Sequence, residues 1–158
     1  MIKKFIITGG AGFIGSALIR HIIKKTKHRV LNLDKLTYAG NIDSLKEIEK
    51  SKRYSFRKID ICNTKKVKKV FFKYKPDIII HLAAETHVDR SIDGPQDFIK
   101  TNILGTYNLL EEARNYFMNL RGNKKKSFLF HHVSTDEVYG DLKKKNHYFT
   151  EKNPYMPN

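Results

Sequence analysis

The chain has 158 residues, enough for one domain with its own core, and its 31 Lys and Arg against 16 Asp and Glu give a net charge of +15. No apolar run approaches the ~18 residues that cross a membrane. The apolar stretch in "MIKKFIITGG" is too short for a secretory leader, and the single Cys62 excludes an internal disulfide and suits a reducing cytoplasm.

In chain order, "KFIITG" predicts a first strand, apolar enough to be covered on both faces. Residues 13–25 follow as a helix with Ile14, Leu18, Ile19, Ile22 and Ile23 on one stripe. "RVLNLD" is a second strand, "IDSLKEIEK" a short helix capped by Asp43 or Asn41, and "YSFRKID" a third strand. "KKVKKVFFKY" predicts a helix ended by Pro76, and "DIIIHLAA" a fourth strand. The longest helix is expected over 96–119, with Phe98, Ile99, Ile103, Leu109, Leu110, Ala113 and Phe117 at helical spacing. "SFLFHHVST" is a fifth strand. The alternation predicts an α/β chain, a Rossmann-type doubly wound parallel sheet with about five strands. The remaining segment, "DEVYGDLKKKNHYFTEKNPYMPN", shows no clear periodicity, and a structureless stretch of that length is uncommon inside a compact domain.

The positive charge falls in short clusters at Lys3–Lys4, Lys24–Lys25, Lys65–Lys66, Lys68–Lys69, Lys124–Lys126 and Lys143–Lys145. These are expected helix ends and loops, where long charged side chains are readily solvated, so specific nucleic-acid binding is not expected.

"TGGAGFIGS" lies where the first strand meets the first helix. Gly9, Gly12 and Gly15 give G-x-x-G-x-x-G, and Gly10, Gly12 and Gly15 give G-x-G-x-x-G. The early glycines allow a tight turn, Gly12 admits a pyrophosphate to backbone N–H groups, and Gly15 lets helix and strand pack closely. The helix N-terminus presents orphan N–H groups to the phosphates. Asp34 closes the second strand, 19 residues beyond Gly15, and is placed to accept hydrogen bonds from ribose hydroxyls. A carboxylate there repels a 2′-phosphate, which favours NAD, although Lys35 follows directly. Asp60 and Ile61 end the third strand, and Ala83 and Ala84 end the fourth, where small side chains let a dinucleotide cross the sheet. The expected units are an NAD-binding Rossmann domain over 1–140 and an irregular tail over 141–158.

"STDEVYG" follows the fifth strand. Asp136 and Glu137 are adjacent carboxylates, which act together only on a turn or helix start. In different environments they could serve as acid and base; equally, "STDE" reads as a plain helix cap. Around the fourth strand's end, Glu85, Thr86, His87, Asp89, Arg90 and Ser91 make an unusually polar run. His87 is a candidate ligand contact, and His81, within the strand, is expected to be a satisfied interior histidine. His131 and His132 face opposite ways on a strand, and no Cys/His spacing resembles a zinc site, so no metal is expected.

"ITGGAGFIGSALIR", "DKLTYAGN", "HLAAETHVDRSIDGP", "TNILGTYNLLEEAR" and "HHVSTDEVYGDL" together resemble the extended short-chain dehydrogenase/reductases, and among them the nucleotide-sugar 4,6-dehydratases. The resemblance covers almost the whole chain. It implies NAD as cofactor and dTDP-glucose as substrate: hydride leaves C4, water is lost across C5–C6, and hydride returns at C6. On the matching positions, Asp136 would protonate the leaving 6-hydroxyl, Glu137 would take the C5 proton, and Thr135 would hydrogen-bond the 4-hydroxyl. Cofactor contacts would come from Gly9, Gly12, Phe13, Ile14, Gly15, Asp34, Lys35, Leu36, Thr37, Asp60, Ile61, Leu82, Ala83, Ala84, Glu85, Thr86 and Thr101. Thr86 or His87 would lie near the sugar or its phosphates.

The resemblance also implies homodimers and a Tyr-x-x-x-Lys pair on a helix after the fifth strand. Tyr54/Lys58, Tyr139/Lys143 and Tyr148/Lys152 have that spacing by chance rather than that setting. The pair is expected just beyond Asn158, followed by a substrate domain, so the resemblance implies an incomplete Rossmann domain whose sheet is truncated after about five strands. The activity expected of these residues alone is therefore little or none. The alternative is a basic module that binds NAD or nucleic acid without catalysis.

Overall fold

In the computed structural model, residues 1–142 and 148–157 are described. Strands β1 (Lys4–Thr8), β2 (Arg29–Asp34), β3 (Tyr54–Lys58), β4 (Ile78–His81) and β5 (Leu129–His132) form one sheet in the order β3-β2-β1-β4-β5. Every neighbouring pair is parallel, with Ile6 of β1 beside Leu31 on one side and Ile79 on the other. The order reverses direction between β1 and β4, which opens a crevice at the carboxyl ends of the strands.

Adjacent side chains of a strand point to opposite faces, so Ile6 and Ile7 start two separate cores. On one face Ile6, Leu31, Leu33 and Ile79 pack with Val67 and Phe71 of α2 (Thr64–Tyr74) and with Leu109 and Ala113 of α5 (Thr106–Met118). On the other, Ile7 and Val30 pack with Ile19, Ile22 and Ile23 of α1 (Phe13–Lys25) and with Leu45 and Ile48. Arg53, just before β3, closes the end of α1. Its guanidinium donates to the carbonyls of Ile23 at 2.6 Å, Thr26 at 2.7 Å and His28 at 3.2 Å.

Four elements differ from the sequence expectation. The segment Ile42–Ile48 is a 3₁₀ helix, capped by Asn41, whose Oδ1 accepts the Asp43 N–H at 3.0 Å. The polar run after β4 contains a short helix, α3 (Val88–Asp93), and the lysine-rich segment Gly122–Ser127 forms α6. Each is only six residues long, and α6 has no apolar residue, so neither shows a hydrophobic period. The long helix is three helical segments in series: α4 (Pro95–Phe98), a π-helical stretch Ile99–Gly105, and α5. The wider π turns rotate the apolar pattern. Leu109 and Ala113 are buried as expected, whereas Ile99, Ile103 and Leu110 stay exposed. Gly105 lies inside this stretch, where a Cβ would stand 2.7 Å from the Ile61 side chain and force it to shift.

His81 is the interior histidine that the sequence predicts. The Thr8 hydroxyl accepts N–H groups from Leu82 and Ala83, both at 3.2 Å, so its own proton goes to His81 Nδ1 at 2.7 Å. Nε2–H then donates to Thr106 Oγ1 at 2.9 Å. Burial, with His132 at 5.1 Å between ring centroids, pushes the His81 pKa down from 6.5 to about 4. A depressed histidine pKa contributes stability above pH 6.5 that is lost as pH falls towards 4. Between about pH 7 and pH 5 this group alone should lower the unfolding free energy by about 2 kcal/mol. Urea titrations at both pH values check this, and His81→Asn should flatten the dependence; a flat profile for the unaltered chain contradicts it.

Candidate functional site: a cleft across the carboxyl ends of the sheet

Backbone geometry forces the glycines at the β1–α1 turn. Gly9 has φ +70°, a left-handed conformation that favours glycine, and a Cβ on it would sit 2.7 Å from the Ala83 nitrogen. A Cβ on Gly15 would strike the Gly9 carbonyl oxygen. Gly12 caps α1, accepting the Ser16 N–H at 2.9 Å, and the first turn of α1 carries no acidic residue. The positive end of the helix dipole is thus left uncompensated.

In front of this turn lies a cleft of about 340 Å³, lined along the ends of β1, β2 and β4. Of the predicted cofactor residues, Gly9, Gly12, Phe13, Ile14, Gly15, Asp34, Lys35, Thr37, Ile61, Leu82, Ala83, Ala84, Glu85, Thr86 and Thr101 line it. Leu36 and Asp60 do not. Leu36, at φ +57°, donates its N–H to Asp34 Oδ1 at 2.8 Å, and Asp60 Oδ1 accepts the Cys62 N–H at 2.8 Å.

The lining also includes Leu33, Ala39, Gly40 and Ile59, which the sequence reading missed. A turn signal was present in Gly40-Asn41. The Asn41 N–H donates to the Ala11 carbonyl at 2.8 Å and ties this second loop to the glycine loop.

Asp34 organises the floor. Oδ2 accepts the Ala11 N–H at 2.9 Å while Oδ1 holds Leu36, leaving lone pairs on both oxygens for further donors. Phe13 is 92% exposed and Ile14 63%, so two large apolar side chains stand uncovered over the cleft. This donor set fits an adenine dinucleotide: helix N–H groups for the pyrophosphate, Asp34 for a ribose, and Ile59 and Ile61 as an apolar flank for a base.

The acidic pair lies elsewhere at the carboxyl end of the sheet, after β5. Asp136 and Glu137 open a 3₁₀ turn, Asp136–Tyr139, capped by Thr135. Thr135 Oγ1 accepts the Glu137 N–H at 3.3 Å and donates to Glu137 Oε2 at 3.4 Å. Thr135 thus caps the turn, and the two adjacent carboxylates occupy its first positions. All three side chains are exposed and lie outside the cleft lining, as does His87, which immediately precedes α3.

The tail returns to this turn. Tyr139 stacks on Phe149 at 5.2 Å and lies 5.4 Å from the Tyr155 ring, and the Met156 N–H donates to the Val138 carbonyl at 3.0 Å. Of the three Tyr/Lys spacings, Tyr54/Lys58 lies on β3 and exposed Tyr148 with Lys152 in the tail; Lys143 lies outside the described residues. Among the described residues no group of three or more His, Cys, Asp or Glu could hold a metal ion, and no helix is long and apolar enough to cross a membrane.

The sheet order, the glycine turn and the cleft define a Rossmann-type α/β chain. It belongs to the family described as GDP-mannose 4,6 dehydratase, whose model matches residues 6–158. Among curated proteins it is 57% identical over 154 residues to a dTDP-glucose 4,6-dehydratase of Haemophilus influenzae, covering 98% of this chain and 46% of that protein. It is 54% identical over 155 residues to the dTDP-glucose 4,6-dehydratase of Neisseria gonorrhoeae, covering 98% and 45%. The chain thus spans about half the length of the curated relatives it matches. Among solved structures, the dTDP-glucose 4,6-dehydratase of Streptomyces venezuelae with NAD and TYD bound superposes with a TM-score of 0.83 at 37% identity, over 98% of this chain and 46% of that one.

Proposed function

We propose that the chain is the cofactor-binding portion of a dTDP-glucose 4,6-dehydratase, with NAD held in the cleft and Thr135, Asp136 and Glu137 contributed to the dehydration step. The observation that carries this reading is the convergence of the glycine turn and the Asp34 carboxylate on one cleft, each held by backbone contacts that leave its ligand-facing side open. Bound NAD would supply a hydride acceptor and donor. The chain's own residues would do the rest. The α1 N-terminus would neutralise the pyrophosphate, and Asp34 would orient a ribose and repel a 2′-phosphate. Asp136 would deliver a proton to the departing 6-hydroxyl, while Glu137 would remove the proton from C5. Thr135, which already pins Glu137 through both its N–H and its carboxylate, would hold the 4-hydroxyl.

Removing the proton of the C4 hydroxyl requires a further base, for which this family resemblance implies the Tyr-x-x-x-Lys pair. No such pair stands on a helix among the described residues. Incubating these 158 residues with NAD and dTDP-glucose should therefore yield no 4-keto-6-deoxy sugar, checked by chromatography of the nucleotide sugars. Product at a rate near that of an intact relative would contradict the assignment of roles.

A further inference from the structure

We propose that Glu85 is a specificity-determining residue that enforces the preference for NAD over NADP by immobilising Lys35; the inference rests on the NAD reading of the cleft. Lys35 follows Asp34 directly, and among the described residues that line the cleft it is the one cation. A mobile ammonium on a four-carbon stem beside the ribose carboxylate would attract the extra phosphate of NADP and offset the repulsion from Asp34.

The structure holds that ammonium elsewhere. Lys35 Nζ lies 3.2 Å from Glu85 Oε1 and donates to Thr101 Oγ1 at 3.0 Å. The Glu85 side chain is only 10% exposed, so the pair is poorly screened by water. Glu85 is itself held by two further residues, Asn102 at its backbone and Tyr38 at its carboxylate. Its N–H donates to Asn102 Oδ1 at 2.8 Å, its carbonyl accepts from Asn102 Nδ2 at 2.9 Å, and the Tyr38 hydroxyl lies 3.5 Å from Oε2. Asn102 and buried Thr101 both belong to the π-helical stretch, whose wide turns present the two neighbours towards β4 and the end of β2. The β2 end, the loop after β4 and the π stretch thus cooperate to neutralise one lysine, leaving Asp34 to govern the ribose.

The test is calorimetric titration of NAD and of NADP into the full chain and its variants. Glu85→Gln keeps the side-chain shape and releases Lys35. It should lower the ratio of the NADP to the NAD dissociation constant about five- to tenfold, the effect of one added charge pair near the protein surface. Lys35→Met/Glu85→Gln should return the ratio to the original value, because the released cation is gone. Thr101→Val, which removes the second hold on Lys35, should move the ratio the same way by about twofold, and decides the matter if Glu85→Gln does not fold. An unchanged ratio in Glu85→Gln, or the same gain persisting in the double variant, overturns the inference. Failure of the unaltered chain to bind either nucleotide overturns the NAD reading and this inference with it.

Discussion

Asp34→Leu should weaken NAD binding by about two orders of magnitude. In the proposed reading the carboxylate accepts from two ribose hydroxyls, and charge-assisted hydrogen bonds contribute about 1.5–3 kcal/mol each, so losing both amounts to a factor of about 100 or more. The same oxygens hold the Ala11 N–H at 2.9 Å and the Leu36 N–H at 2.8 Å. Leu36 sits at φ +57°, which costs a residue with a Cβ about 1–2 kcal/mol. Removing the carboxylate also frees that strained backbone, so the cleft wall should loosen as the ribose contact is lost. Asp34→Asn separates the two effects. It keeps an acceptor oxygen but removes the charge, so it should retain more NAD affinity than Asp34→Leu while reducing discrimination against NADP. Titration calorimetry of both variants measures this. Equal NAD affinity in Asp34→Leu and the unaltered chain would remove Asp34 from the site.

Gly15→Ala and Gly12→Ala should fail for different reasons. At Gly15 an added methyl collides with the Gly9 carbonyl oxygen and lies 2.8 Å from Gly10 Cα, so helix and strand must separate. Backbone has no rotamer to yield, so the penalty should reach about 3 kcal/mol, the upper end for overpacking, with NAD binding abolished. At Gly12 the backbone, at φ −76° and ψ 176°, suits any residue, and a Cβ would lie 3.3 Å from the Gly9 oxygen. That contact is tight but needs a shift of only a few tenths of an ångström, so Gly12→Ala should fold with a loss of about 1 kcal/mol, the lower end for overpacking, yet bind NAD at least tenfold more weakly, because in the proposed reading its methyl stands where the pyrophosphate approaches. Thermal unfolding with and without NAD distinguishes the two. Unfolding of Gly12→Ala as severe as that of Gly15→Ala would contradict the division between packing and ligand approach.

The sheet, the glycine turn and Asp34 were legible in the sequence because each rests on a local pattern with one structural solution. Apolar runs such as "KFIITG" must be covered on both faces, and three glycines between strand and helix have little other use. What escaped was set by tertiary contact. Ile99 and Ile103 carry a helical period, but the π stretch turns them away from the core. Leu36 and Asp60 stand outside the cleft lining, and the hydrogen bonds they make, Leu36 N–H to Asp34 and Cys62 N–H to Asp60, depend on loop conformations that no spacing announces. The tail has no period at all, because its order comes from three rings, Tyr139, Phe149 and Tyr155, meeting across sixteen positions of sequence. The link from Lys35 to Glu85 joins residues 50 apart, and no spacing rule announces it.

The central claim, that this chain holds NAD in the cleft between the glycine turn and Asp34, is tested most directly by titrating NAD into the full chain by calorimetry, with Asp34→Leu in parallel. The account predicts saturable one-to-one binding by the unaltered chain that is about a hundredfold weaker in the variant. The absence of any heat of binding at millimolar NAD, or identical isotherms for the two proteins, would contradict it.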